Sequence, residues 1–184
     1  MDAIVQADQS FFLYLNGIHS PFWDPIMVFI SGKLSWLPLY LLLIGFLIKE
    51  RKKKVYISLV VIILLVVATD QISVFIKDSV QRPRPCRDEV IGAFAHIVNG
   101  CGGKFGFVSS HAANTFGVAM FFSLLFRKNW VSMALIIWAT IVSYSRIYLG
   151  VHYPGDILGG AFLGLAIGYG MFNLEAFIIS KVKQ

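Results

Sequence analysis

Seven ionisable side chains between positions 77 and 156 carry the chemistry this sequence offers: Lys77, Arg82, Arg84, His111, Arg146, His152 and Asp156. An arginine fork matches the geometry of phosphate oxygens, and lysine adds a compact positive charge. One histidine can attack phosphorus while a second protonates the leaving oxygen. Asp156 follows His152 by four residues, about one helical turn. Its carboxylate can hold the imidazole in the tautomer that frees the other ring nitrogen, the orienting role of the acid in a triad. Pro154 suits the first turn of a helix, whose N–H groups and positive dipole end favour an anion. The set suits phosphoryl transfer. Two plainer readings stand beside it. A histidine at a span end is commonly just an interfacial residue, and His-x3-Asp also suits a metal pair. No convincing third ligand accompanies that pair, so no metal and no cofactor is expected. Arg82 and Arg87 read equally well as solvated loop charges, and His19 and His96 as structural residues. Gly102-Gly103-Lys104 resembles the end of a P-loop but lacks its earlier glycine and its Ser/Thr.

These residues are scattered over 80 positions, so the elements between them must bring them together. Hydrophobic residues make up 57% of the 184 and charged residues 14%, against roughly 25% charged in a soluble domain. Disorder is excluded and an ordinary soluble domain disfavoured. The formal charge of +6 could suggest nucleic acid, but the basic residues sit between long apolar runs and form no basic helix, so no nucleic-acid partner is expected. A membrane protein explains both facts, since about 20 apolar residues cross a bilayer as a helix. Five such stretches are expected: about 34–48, which the apolar run 22–31 can extend, then 55–77, 109–126, 130–149 and 154–179. The first 32 residues contain no Lys or Arg, so a signal peptide is not expected. Residues 2–16 put Ile4, Phe11, Phe12 and Leu15 near one helical face, away from Gln6, Gln9 and Asn16. That predicts a short interfacial helix, with a frayed terminus as the alternative. The expected fold is an all-α polytopic membrane helix bundle of about five transmembrane helices and this short N-terminal helix, as one membrane-embedded domain over 1–184.

Basic residues set the orientation. Residues 49–54 read KERKKK; Arg127 and Lys128 follow the third stretch, and Lys181 and Lys183 end the chain. With five spans these lie on one side, which the positive-inside rule makes cytoplasmic. The 31-residue loop 78–108 then faces outward, and span parity alone sends Lys77, Arg84, His111, Arg146, His152 and Asp156 to the same outer layer. Ionisable residues at membrane depth are costly and commonly mark a site. Asp70 and Glu175 also lie inside spans. Asp70 precedes Lys77 by seven residues, on the same face and roughly 10 Å deeper; neither receives a catalytic role. Gly160, Gly164 and Gly168 form a doubled G-x-x-x-G, which predicts close helix packing inside one bundle or, alternatively, a homodimer.

The motifs resemble those of the type 2 phosphatidic acid phosphatases, integral membrane lipid phosphatases. K-x6-R-P appears as Lys77 to Arg84-Pro85, and S-R-x5-H-x3-D as Ser145-Arg146 to His152 to Asp156. The intervening P-S-G-H reads Val108-Ser109-Ser110-His111, departing at its first and third positions but keeping Ser109 and His111. The resemblance implies His152 as a nucleophile that forms a phosphohistidine, Asp156 as its orienting acid, and His111 as the group that protonates the leaving oxygen. It implies Lys77, Arg84, Ser109 and Arg146 as phosphate ligands, with the backbone near Ser110 assisting, and no metal. The added hydroxyl of Ser110 is a further candidate ligand.

The expected activity is hydrolysis of a phosphate ester or diphosphate on a membrane lipid, at the periplasmic or exterior face of a bacterial inner membrane. Undecaprenyl diphosphate or a phospholipid phosphate is the first expectation. Lipid A or phosphatidylglycerol-phosphate phosphatase is the rival, and an anion-binding transporter the non-enzymatic alternative. Cys86 and Cys101 both fall in the long loop. If that loop faces an oxidising compartment they are expected to pair, the alternative being two free thiols.

Overall fold

The computed structural model describes residues 2–182; Lys183, counted above among the cytoplasmic basic residues, lies outside them. Seven α-helices account for most of the described chain: α1 (Asp2–Asn16), α2 (Trp23–Ser31), α3 (Leu37–Arg51), α4 (Val55–Val80), α5 (Ser110–Phe126), α6 (Asn129–Tyr148) and α7 (Pro154–Lys181). The one β-type pairing among the described residues is an isolated bridge between Pro83 and Phe105. The helices α3 to α7 match the five apolar stretches to within a few residues. Three helical segments are long and apolar enough to cross a membrane: Leu34–Val80, Asn129–Tyr148 and Pro154–Lys181; Ser110–Phe126 is a shorter apolar helix.

The first segment is not one rod. Lys52 takes a positive φ of 48°, an uncommon conformation for a side-chain-bearing residue, and breaks the helix between α3 and α4. Leu43 and Leu47 of α3 therefore share a core with Ile57, Val61 and Leu65 of α4, Phe121 and Phe122 of α5, and Leu135 and Trp138 of α6. Other boundaries have local causes. Pro38 and Pro154 lie in first turns, where a missing N–H costs nothing. Ser109 caps α5, and Gln81 and Arg127 end α4 and α5 in the left-handed region.

Helix α7 lies directly on α5, and the glycine stripe makes this possible. A methyl group on Gly160, Gly164 or Gly168 would overlap the backbone carbonyl of Ser109, Ala113 or Gly117. The stripe is therefore consumed inside the bundle, as the first of its two readings expected.

The short N-terminal helix differs from its expected arrangement. Ile4 and Phe11 are exposed, but Phe12 is fully buried against the Tyr153 ring, 5.3 Å between centroids. Asn16 is also buried. Its amide donates to the carbonyls of His96, Ile147 and Tyr148 at 2.9–3.0 Å and accepts from the His96 N–H at 2.7 Å. A polar group can be buried when each of its hydrogen bonds is made. Asn16 thus pins α1 to the end of α6 and to the long loop, so α1 is part of the protein's packing rather than an amphipathic helix resting on lipid alone.

Candidate active site

Helix ends and two turns assemble the site. Lys77 comes from the last turn of α4, and Arg84 from the loop just after it. His111 is the second residue of α5, Arg146 sits in the last turn of α6, and His152 occupies the turn before α7. These five and Ser110 line one cavity of about 860 Å³. Span parity thus brings together what it was expected to bring together.

His152 is buried, and its Nδ1 lies 3.2 Å from Asp156 Oδ2. The carboxylate is fully buried and saturated. Oδ2 also accepts from the Tyr153 N–H at 3.0 Å, and Oδ1 accepts from Arg82 at 3.0 Å. A methyl group at Gly106 would stand 2.7 Å from Oδ2, so only glycine leaves the carboxylate its place. With Nδ1 held, Nε2 is the ring nitrogen free to face the cavity. Burial first, then the charges of Arg84, Arg146 and Lys77, hold the His152 imidazole well below the ordinary histidine range. It is therefore neutral, the form in which a ring nitrogen can act as a nucleophile.

The cations are oriented by the backbone. Lys77 Nζ donates to the Val108 carbonyl at 2.5 Å and to Ser110 Oγ at 2.7 Å. Arg84 Nε donates to the Phe105 carbonyl at 3.1 Å, leaving its terminal nitrogens near the glycine turn at 102–103. Arg146 donates to Ser31 Oγ, while its buried Nε has no partner among the described residues. Three cations held around a neutral imidazole form a site for an anion with several oxygens. Ser109 and Ser110 divide their expected duty. Ser110 lines the cavity, whereas Ser109 is fully buried, accepts from the Ala112 N–H at 3.5 Å, and donates its own N–H to the Asp156 carbonyl at 2.9 Å. Its hydroxyl caps α5, and its backbone N–H ties α5 to α7.

Cys86 and Cys101 are bonded, with 5.7 Å between their Cα atoms. The bond closes the loop segment that follows Arg84 and carries the glycine turn beneath that guanidinium.

Two functional neighbours were not legible. Arg82, which read equally well as a solvated charge, is half of a clamp. Its second nitrogen donates to Asp8 Oδ2 at 2.6 Å, its guanidinium lies 4.2 Å over the Tyr153 ring, and Asp8 Oδ1 accepts from the Gly155 N–H at 2.8 Å. Nothing local in the sequence marks Asp8, which reaches the site only because α1 folds back onto it. For Arg82 the available signal was position, two residues before Arg84 in a proline-bracketed run.

The sequence pattern of the PAP2 superfamily matches residues 55–179. The chain belongs to the PAP2 superfamily. Curated relatives agree with that membership. A lipid A 4'-phosphatase of Bacteroides thetaiotaomicron is 45% identical over 179 residues, covering 95% of this chain and 78% of the relative. A lipid A 4'-phosphatase of Porphyromonas gingivalis is 32% identical, covering 98% and 78%. An undecaprenyl-diphosphatase of Sulfolobus acidocaldarius is 29% identical, covering 86% and 74%. Among solved structures, a transmembrane PAP2-type phosphatidylglycerolphosphate phosphatase of Bacillus subtilis superposes with a TM-score of 0.74 at 24% identity, covering 100% of this chain and 90% of that one. The PAP2 helix arrangement is therefore shared well beyond the motif residues.

Proposed function

We propose that this PAP2 protein is a bacterial membrane lipid phosphatase acting on the 4'-phosphate of a lipid A-type glycolipid. The observation that carries the phosphatase reading is the shared cavity. A neutral histidine backed by a carboxylate faces the same space as three cations and a second histidine, and that space continues between apolar helices. The 45% identity to a lipid A 4'-phosphatase supports the substrate. Undecaprenyl diphosphate is the second reading, supported by the more distant relative.

In the first step His152 Nε2 attacks phosphorus, the bond from phosphorus to the lipid oxygen breaks, and His111 gives that oxygen its proton. In the second step a water, deprotonated by His111, attacks the phosphohistidine, releasing inorganic phosphate and the neutral imidazole. Lys77, Arg84 and Arg146 neutralise the phosphoryl oxygens as charge builds, with Ser110 and the α5 N-terminus that Ser109 caps assisting. Asp156 keeps Nδ1 protonated and stabilises the cationic ring. The cluster supplies its positive charge from side chains, so turnover needs no metal. The chain acts as one domain over 1–184, with five crossings, residues 49–54 in the cytoplasm and the cavity opening to the periplasm or exterior.

The test is phosphate release by purified protein in detergent with excess EDTA, using lipid A and undecaprenyl diphosphate as substrates. Turnover should survive chelation, and vanadate should inhibit because it can adopt the five-coordinate geometry of the transition state. Turnover abolished by EDTA and restored by added zinc or magnesium would overturn the metal-free mechanism. Absence of release from both lipids would overturn the phosphatase reading.

A further inference from the structure

The proposed mechanism uses the outer end of the cavity and leaves the polar groups deeper in it without a role. Asp70, Gln71 and Asn114 all line it, among Trp36, Tyr40 and Leu59. Asp70 lies two helical turns below Lys77 on α4, roughly 10 Å inward. Asn114 lies one turn below His111 on α5. The two positions are at similar depth, since Thr69, the neighbour of Asp70, bonds Asn114 at 2.5 Å.

Asp70 is partly buried, Gln71 is exposed, and neither makes a side-chain hydrogen bond or ion pair among the described residues. Asn114 spends one end of its amide on Thr69, and the other end has no partner among the described residues. An ionisable group at membrane depth without a partner is expensive, and such groups mark binding sites or pathways. The arrangement also has a sign. A carboxylate accepts hydrogen bonds only and repels anions, so it is unsuited to a second phosphate. A prenyl diphosphate would place hydrocarbon at this depth, where a carboxylate would face apolar chain. An acylated amino sugar bound by its phosphate places amide N–H and hydroxyl donors there, just before its acyl chains begin.

We propose that Asp70, Gln71 and Asn114 form a subsite for the hydrogen-bond donors of an N-acylated amino-sugar lipid, one to two helical turns below the phosphate site. The proposal rests on the phosphatase reading and sharpens its substrate. A site built to bond a polar group discriminates strongly against a ligand lacking it, because the site's own groups are then left unpaired.

The experiment compares kcat/KM for lipid A and for undecaprenyl diphosphate in wild type, Asp70→Leu and Gln71→Leu. Asp70→Leu should lower the ratio of lipid A to undecaprenyl diphosphate activity by about ten- to a hundredfold, the equivalent of one charge-assisted hydrogen bond. Gln71→Leu should lower it less, and Asp70→Asn should restore part of it. Equal losses on both lipids, or an unchanged ratio in both variants, would overturn the subsite. Gln71 is exposed, so its variant decides the matter if Asp70→Leu fails to fold. A wild type that hydrolyses undecaprenyl diphosphate but not lipid A would also overturn it, while leaving the phosphatase reading intact. A wild type inactive on both lipids would fail that reading instead.

Discussion

Two buried carboxylates, one at each end of α7, are bonded to arginine, and they serve different ends. Toward its C-terminal end Glu175 is fully buried. Arg51 Nε donates to its Oε1 at 3.0 Å, a terminal nitrogen of Arg51 to Oε2 at 2.6 Å, and the Ser58 hydroxyl also bonds Oε1. Every bond ends on a group with nothing further to do, so the cluster is a clasp joining α3, α4 and α7. At its N-terminal end Asp156 is equally buried and bonded to Arg82, but one of its bonds goes to a histidine that lines a cavity. A buried ion pair is weak evidence for stability and none for function. What separates the two ends is whether the network closes on itself or delivers an oriented group to an open space.

Removing the delivered group should have the largest effect. His152→Ala is expected to lower turnover by about three orders of magnitude or more, since it removes the proposed nucleophile, with the melting temperature little changed. Initial-rate assays beside thermal unfolding in detergent measure both. Near wild-type turnover would place the two carboxylates in the same, structural class.

The clamp behind Asp156 is the next test. Arg82→Gln leaves Asp156 Oδ1 without its cation, and turnover is expected to fall by about ten- to a hundredfold. Arg82 is not among the residues that line the cavity, so the loss should appear in kcat and in the rate of phosphohistidine formation rather than in KM. Arg82→Lys should restore part of it. Asp8→Asn, one bond further away, should have the same signature at smaller size. A change confined to KM would make Arg82 a substrate ligand instead of a positioning residue.

The same contrast explains what the sequence could reveal. Spans are long, apolar and local, so α3 to α7 were legible to within a few residues, and their parity carried Lys77, His111, Arg146, His152 and Asp156 to one layer. Contacts made by chain folding back were not legible. Asp8 meets Arg82 across 74 positions, and Asn16 meets Tyr148 across 132; no periodicity encodes either. Glu175 was visible as a costly residue, yet its partner stood in the basic run 49–54, which positive-inside reasoning treats as a block of charge. One arginine of that block is spent on the clasp. Similarly, Ser109 was expected as a phosphate ligand, but it is fully buried and its hydroxyl caps α5.

The Glu175 clasp should fail differently. Glu175→Ala leaves Arg51 without its partner. That side chain is 26% exposed and can turn toward the headgroups, so the loss is expected at about 2–3 kcal/mol, below that of a wholly buried pair. The melting temperature should fall by several degrees while turnover below it is retained. Replacing both partners, Glu175→Leu with Arg51→Met, should recover much of the loss. A fall in kcat at temperatures where Glu175→Ala is folded would show that the clasp reaches the His152 end.

The smallest effect concerns protons, and it too should separate the two ends. Folded His152 is held neutral by burial and by Arg84, Arg146 and Lys77, whereas in the unfolded chain it takes up a proton below about pH 6.5. Unfolding then binds a proton that the native protein lacks, so stability falls as pH drops below that value, by at most about 1.4 kcal/mol per pH unit for one group. The loss continues until the pH reaches the depressed native value, where folded protein begins to accept the proton as well. His152→Asn removes this contribution, so the melting temperature of that variant should depend less steeply on pH between 6.5 and 5.5 than that of wild type, by about 2–4 °C per unit. Glu175→Gln alters the other clasp, which contains no histidine, and should keep the wild-type slope between those values. Parallel melting curves for wild type and His152→Asn across this range would mean that the native imidazole is protonated there, and the ring could not then serve as a neutral nucleophile.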